Sequence, residues 1–276
     1  MSIFEVILLG VVQGLTEFLP ISSTAHLVVI PKLFGWPDPG LAYDIALHVG
    51  TLAAVLIYFF RDWVHILANG FGLGSASGGD PELRRNRMLL WLLILGTIPA
   101  GIAGLALQKQ ADTTLRTLPV IGVSAIVIGL FMWWADRAGR GQKTLGHVSR
   151  ADSLAVGFAQ VLAIIPGVSR SGITISAGLL RNFDRPTAAR FSFLLSTPII
   201  FGAAAKDAWD LLKHKDAIPP EMQTAFLLGI AVSGVTGCLT IALFMKYLRT
   251  RSLAFFVGYR IIFGIAVIAV PLFIHR

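Results

Sequence analysis

The sequence predicts an all-α polytopic membrane protein, and three observations carry that reading. Of its 276 residues 55% are hydrophobic and only 14% charged, whereas soluble domains carry about 25% charged residues. Six apolar stretches, near 41–60, 88–107, 118–135, 191–209, 222–246 and 253–275, are long enough to cross about 30 Å of hydrocarbon as helices. Two further segments, 3–35 and 154–180, are apolar but interrupted by polar residues, and read as re-entrant helical hairpins. Mean hydropathy is +0.75, in keeping with all three.

Each element follows from its residues. The first hairpin bends at Pro20, because proline removes a helix hydrogen bond and clashes with the preceding turn. Its start lacks a basic n-region and carries Glu5, so it reads as structure rather than as a cleaved signal peptide. The span at 41–60 closes on Arg61 and Asp62, and two more spans complete the first half. The second hairpin bends at Pro166 and Gly167. The span after it closes on Lys206 and Asp207, and again two spans follow.

The halves resemble each other. Residues 10–13 (GVVQ) match 157–160 (GFAQ), and 20–24 (PISST) parallel 166–171 (PGVSRS) with a one-residue slip. One broken segment plus three full spans per half is an odd number of crossings. The second half, about 146–276, is therefore expected to lie upside down relative to the first, about 1–145, within one membrane domain. Inverted repeats of this kind place their broken helices together near the bilayer midplane.

Net charge is +8, but the cations are scattered over short loops and do not form a nucleic-acid surface. Loops near 61–87, 137–150, 181–190 and 246–251 hold fourteen Lys and Arg; the other side holds Lys32, Lys109, Arg116, Lys206, Lys213, Lys215 and Arg276. The richer side is expected to be cytoplasmic, leaving both termini outside. Trp63, Trp91, Trp133, Trp134 and Trp209 lie near span ends, where amphipathic rings prefer to sit. The lone Cys238 excludes an intramolecular disulfide or a thiolate metal cluster, and reads as a small core residue.

The chemistry concentrates at the two interruptions. Ionisable groups at bilayer depth cost roughly 2.5–3.5 kcal/mol each, so their presence there argues for function. Residues 13–26 (QGLTEFLPISSTAH) bring together Gln13, Glu17, Ser22, Ser23, Thr24 and His26; residues 166–174 (PGVSRSGIT) bring Gly167, Ser169, Arg170, Ser171, Gly172 and Thr174. Serines or a threonine at the second helix of each hairpin can cap it, and helix starts attract anions. Arg170 adds a fork of donors that stays protonated when buried, and Gly167 and Gly172 would let a phosphate approach the backbone.

Glu17 lies four residues after Gln13 on the same helix face. It either binds a divalent cation bridging phosphate oxygens, orients a basic group such as His26, or packs as a protonated acid. His26, three residues past Ser23, has the spacing to serve a hydroxyl as acid or base; capping a helix is the structural alternative. Asp44 and His48 make another i, i+4 pair. Arg260, deep in the last span, either adds a phosphate contact or pairs with Asp44.

These motifs resemble those of the undecaprenyl-diphosphate phosphatase family, membrane proteins tied to bacitracin resistance. The likeness runs nearly end to end, including YDIALHVGTLAAV, FSFLLSTPIIFGA and FFVGYR. It implies removal of the terminal phosphate from undecaprenyl diphosphate, recycling the lipid carrier for peptidoglycan synthesis. It also implies a need for Mg2+ or Ca2+, a bacterial inner membrane location with the site open to the outer face, and a homodimer. By position it makes Ser23 the nucleophile, His26 its acid/base partner and Arg170 the phosphate arginine. Ser169, Ser171 and Thr174 become diphosphate ligands, and Glu17 with Gln13 (where many members carry Glu) becomes the metal position. His48 stands where glutamine is common and receives no family role. The competing expectations are a transporter or flippase of an anionic lipid or solute, because inverted repeats are transporter architecture, and a non-catalytic scaffold.

Overall fold

The computed structural model describes residues 1–37, 40–73, 80–214 and 220–274. Among them the chain forms twelve α-helices and no strand: α1 Ile3–Thr16, α2 Ser23–Phe34, α3 Leu41–Tyr58, α4 Phe60–Gly70, α5 Pro81–Arg85, α6 Leu89–Thr113, α7 Leu118–Ala138, α8 Arg150–Val161, α9 Arg170–Leu180, α10 Arg185–His214, α11 Pro220–Leu248 and α12 Ala254–Ile274. Lys215 and Arg276 lie outside the described residues, as do the side chains of Lys109, Asp207, Trp209 and Lys213.

The chain is a multi-pass membrane protein. Stretches Leu89–Leu107, Leu118–Ala138, Arg185–Lys206 and Met222–Leu248 are long and apolar enough to cross a membrane unbroken, and match four of the six expected spans. The stretch expected at 253–275 falls on α12, which is apolar over Ala254–Ala269. The one expected at 41–60 ends early, because α3 and α4 meet at a 75° bend. Residues 61–87 were expected as a loop, yet α4 is a helix with Phe60, Val64 and Leu67 exposed at helical spacing. An apolar stripe on an otherwise polar helix suits the membrane interface.

Local signals set the hairpin ends. Ser2 and Glu5 form a capping box at the start of α1, as do Ser149 and Asp152 at the start of α8. α2 stops at Gly35, whose φ of 66° completes a left-handed cap. The second hairpin passes through a 3-10 turn at Leu162–Ile164 before its break.

Packing interleaves the two hairpins with distant helices. α1 lies against α11 and α3, α8 lies against α6, and α7 pairs with α12. Close approach rests on small residues, as is usual between membrane helices. A Cβ on Gly157 of α8 would sit 2.3 Å from the Gly96 carbonyl oxygen of α6, and one on Gly14 would sit 2.6 Å from Thr236 Cβ of α11. Cys238 is half-buried against the Ala54 carbonyl, 3.6 Å away.

The cation-rich loops meet on one face through ion pairs. Arg190 bridges Asp62 at 2.7 Å and Asp80 at 2.5 Å. Asp136 accepts from Arg185 at 2.6 Å and from the Leu253 backbone at 3.1 Å. Asp152, fully buried, accepts from Lys143 and Arg181. Trp133, with Arg137 stacked 4.2 Å over its ring, and Trp134 stand half-exposed near this end.

Two outcomes are expected from this packing. Gly157→Val drives α6 and α8 apart and costs about 1–3 kcal/mol, read as a lower melting temperature in detergent. Burial pushes the Asp152 carboxyl up, but the hydrogen bonds from Ser149, Arg181 and Lys143 outweigh it and hold the group below the ordinary carboxylate range. A depressed folded-state value contributes stability above the unfolded value of about 3.9 and loses it as pH falls below that. Asp152→Asn should therefore lower the melting temperature at neutral pH and flatten its decline as pH falls below about 4.

Candidate active site

Both hairpin breaks adopt the same unusual backbone. Ser22, at the start of α2, has φ 77° and ψ 101°; Ser169, at the start of α9, has φ 70° and ψ 112°. Residues other than glycine in this region cost about 1–3 kcal/mol and persist only where surroundings enforce them. The Ser169 hydroxyl caps α9 by accepting from the Gly172 backbone at 3.2 Å, whereas Ser22 makes no such cap.

The enforcing group is Arg260 of α12. It is wholly buried, and its guanidinium donates to the carbonyls of Pro20 in the first break (3.1 Å) and of Gly167 and Val168 in the second (2.7 and 3.1 Å). It donates further to Ala125 and Ser124 of α7. One side chain thus ties both breaks to α7. The expected phosphate contact and the expected pairing with Asp44 both give way to this role: the Asp44 carboxylate instead receives Arg116 at 3.1 Å.

With the breaks joined, Glu17 at the end of α1 meets Arg170 at the start of α9, 153 residues later, at 2.5 Å. Arg170 also donates to the Ser192 carbonyl of α10 at 3.3 Å. The other Glu17 oxygen, Oε2, accepts from the Ser23 hydroxyl at 2.7 Å and from the Gln13 amide at 3.2 Å. His48 Nε2 stands 3.6 Å from that oxygen. Glu17, Ser23, His48 and Arg170 line a cavity of about 660 Å³, together with Ser22, Thr24, Ser169 and Gln160. Asp44, Arg116 and Lys206 also line it, and Ala100, Gly101, Gly104 and Leu105 of α6 with Ile199, Ile200 and Gly202 of α10 give it an apolar wall.

Other expected site residues are held elsewhere. His26 does not reach Ser23: its Nδ1 donates to the Ser22 carbonyl at 2.7 Å, and its Nε2 lies 2.6 Å from the Tyr259 hydroxyl. Phe263 stacks on the same ring at 4.4 Å between centroids. A carbonyl can only accept, so Nδ1 carries the hydrogen and the ring serves as a helix-end brace. Ser171 donates to the Leu19 carbonyl at 3.1 Å, joining the second hairpin to the first. Thr174 donates to the Arg170 carbonyl at 2.7 Å and contacts Ser192 at 2.6 Å. Gly167 packs on α7, where a Cβ would lie 2.5 Å from the Ile121 oxygen, and Gly172 faces Met132 and Ser169. These residues shape the breaks from behind and not from the cavity side.

Gln160 is the residue sequence reading missed. It is buried, lines the cavity, and neither its amide nitrogen nor its oxygen has a hydrogen-bond partner. Buried polar groups are rarely left unpaired, so this amide stands out among the residues around the cavity. The signal was present in the match of residues 10–13 to 157–160, which aligns Gln13 with Gln160. Among the described residues no group of three His, Cys, Asp or Glu side chains gathers at metal-binding distance.

Helices that enclose a buried acid, a hydroxyl and an arginine define a multi-pass membrane protein with a polar pocket inside its bundle. More particularly, the chain belongs to the family described as bacitracin resistance protein BacA, which matches residues 6–266. It is 46% identical over 268 residues to a protein of Pelotomaculum thermopropionicum named undecaprenyl-diphosphatase, covering 97% of this chain and 96% of that one. It is 47% identical over 270 residues to the undecaprenyl-diphosphatase of Moorella thermoacetica, covering 98% of each.

Arg260→Lys tests the clamp. A single ammonium cannot reach both breaks and α7, so melting temperature and catalytic turnover should both fall, turnover by about tenfold or more. KM should change little, because the cavity groups themselves are intact; phosphate-release kinetics separate the two constants.

Proposed function

We propose that this protein is an undecaprenyl-diphosphatase, removing the terminal phosphate of undecaprenyl diphosphate and returning the monophosphate carrier to peptidoglycan synthesis. The observation that carries the reading is the meeting of Glu17, Ser23 and Arg170 in the lining of one cavity. The names of the relatives support hydrolysis over transport. Bacitracin resistance follows from the same activity, since it restores the carrier from its diphosphate form.

Arg170 and the start of α9 bind the terminal phosphate and offset its charge. Ser23 Oγ attacks the phosphorus while Glu17 Oε2, already its hydrogen-bond acceptor, takes the proton. The bond to the bridging oxygen breaks, and undecaprenyl phosphate leaves; water then releases phosphate from Ser23. Glu17 thereby holds the proton-transfer role expected of His26. Phosphoryl transfer depends mainly on positioning and charge stabilisation, and the three groups supply both. Gln160 donates to a non-reacting oxygen of the diphosphate. The prenyl tail runs along the apolar wall of α6 and α10, where a Cβ on Gly104 or Gly202 would meet nothing within 4 Å.

A divalent cation, Mg2+ or Ca2+, fits beside these groups. The protein's own donor set is sparse, since Glu17 Oε2 already accepts from Ser23 and the Gln13 amide nitrogen; the ion would rest mainly on substrate phosphate and water, with the Gln13 amide oxygen, buried without a partner, adjoining. Mg2+ commonly takes only one or two carboxylates and completes its shell with phosphate and water. Bound there, it would add charge neutralisation at the phosphate oxygens.

The same reading takes the chain as two inverted halves in a bacterial inner membrane, with the site opening outward, both termini outside and two copies forming a homodimer. Support for the halves comes from the matched conformations of Ser22 and Ser169 and from the reciprocal packing of α1 on α11 and α8 on α6. The ion-paired cationic face supports the orientation.

Phosphate release from undecaprenyl diphosphate by the purified protein is the direct test. Ser23→Ala, Glu17→Gln and Arg170→Ala should each lower turnover by about 10²-fold or more. Gln160→Leu should raise KM and leave most of kcat. Lipid movement across vesicles without phosphate release would favour the transporter.

A further inference from the structure

The cavity holds a second arginine that the mechanism above does not use. Arg116 lines it together with Arg170, although the two come from different parts of the fold. Arg170 opens α9, whereas Arg116 lies in the link between α6 and α7. Asp44, which holds Arg116, is in the first turn of α3, and Lys206 closes the apolar stretch Arg185–Lys206. Charge in this part of the lining gathers where helices begin or end. His48, the α3 residue that stands 3.6 Å from Glu17 Oε2, is four residues beyond Asp44, about 6 Å by helical rise. The anchor of Arg116 is thus one helix turn removed from the residue that meets Glu17.

The two arginines are also held differently. Arg170 bonds Glu17 at 2.5 Å and donates to the Ser192 carbonyl. Arg116 makes one contact among the described residues, from Nη2 to Asp44 Oδ2 at 3.1 Å. That is longer than the usual charge-assisted bond of about 2.7–2.9 Å. A guanidinium carries several N–H donors in a planar fork, so most of those on Arg116 are uncommitted. Its side chain is 22% exposed, which keeps it within reach of a ligand in the cavity it lines.

Charge balance favours a use for it. Glu17 already offsets Arg170, and a diphosphate brings more negative charge than that pair can neutralise. The apolar wall, Gly101 to Leu105 on α6 and Ile199 to Gly202 on α10, runs toward the helix ends that carry Arg116 and Lys206. A lipid whose tail follows this wall has its retained phosphate between Arg170 and the tail. Free phosphate leaving toward the same helix ends passes the same group.

We propose that Arg116 is a second phosphate-binding residue of this cavity, separate from Arg170, with a phosphate group joining Asp44 on its guanidinium fork. The inference rests on the reading of the cavity as a diphosphate site and adds a residue to it. Two sources share the chemistry: the phosphate that stays on the lipid and the inorganic phosphate that is released.

Binding to the purified full-length protein in detergent tests this in two arms that need no turnover. Calorimetry follows inorganic phosphate in one, and in the other a polyprenyl methylenediphosphonate, whose carbon bridge resists hydrolysis. Arg116→Gln should weaken at least one arm by about tenfold or more. Loss confined to the diphosphonate assigns the retained phosphate, loss confined to inorganic phosphate assigns the released one, and loss in both makes Arg116 a station that serves each in turn. Asp44→Asn removes the ion pair but keeps the arginine, so it should preserve or strengthen binding. Unchanged affinity in both arms for a folded Arg116→Gln, or an equal loss in Asp44→Asn, would overturn the proposal. Wild type decides where the variant does not fold: phenylglyoxal labelling of Arg116, read by peptide mass, should be slowed severalfold by saturating ligand, and labelling indifferent to both ligands would also overturn it. Phosphate release from undecaprenyl diphosphate judges the phosphatase reading separately.

Discussion

Backbone broken inside an apolar bundle must find partners for its carbonyls, and in this protein one buried guanidinium provides them. Arg260 reaches the Pro20 carbonyl of one hairpin and the Gly167 and Val168 carbonyls of the other. Orphan carbonyls in hydrocarbon cost several kcal/mol each, so the breaks are tolerable only where such a donor lies. The same contacts fix the distance between the tips. Everything on the cavity side depends on that distance, since Glu17 and Arg170 come from opposite hairpins and touch at 2.5 Å.

Glu17 is the point at which the chemistry converges. One oxygen holds the arginine, and the other gathers a serine hydroxyl, a glutamine amide and, at longer range, an imidazole. A buried carboxylate with so many donors is costly to assemble and is strongly oriented once assembled. The residues behind it, Ser171 on Leu19, Thr174 on Ser192 and His26 on Tyr259, keep the two breaks rigid. Preorganisation of this kind is what phosphoryl transfer asks of a protein.

The helical class, both hairpins and the Glu17, Ser23 and Arg170 cluster were legible in the sequence, because prolines, capping serines and charges amid apolar residues are local signals. What escaped depends on contacts between distant segments. His26 is three residues from Ser23, but its partner is Tyr259, 233 residues away, and spacing alone favoured the nearer hydroxyl. Arg260 looked like a ligand because a deep arginine implies an anion, whereas five backbone carbonyls serve it equally well. The 75° bend between α3 and α4 has no proline or glycine to announce it. Gln160 carried a signal in the internal match, but only its burial without a partner marked it as important.

The interlocked packing has a consequence for how the chain reaches this state during synthesis. α1 precedes α11 in the chain yet rests on it, and α12 carries the arginine that secures both breaks. The opening hairpin must therefore wait, partly unpartnered, until more than two hundred further residues have entered the bilayer. Contacts so remote along the chain form slowly. The pocket therefore depends on a helix far along the chain from the residues it positions, and it forms only once α12 has joined the hairpins.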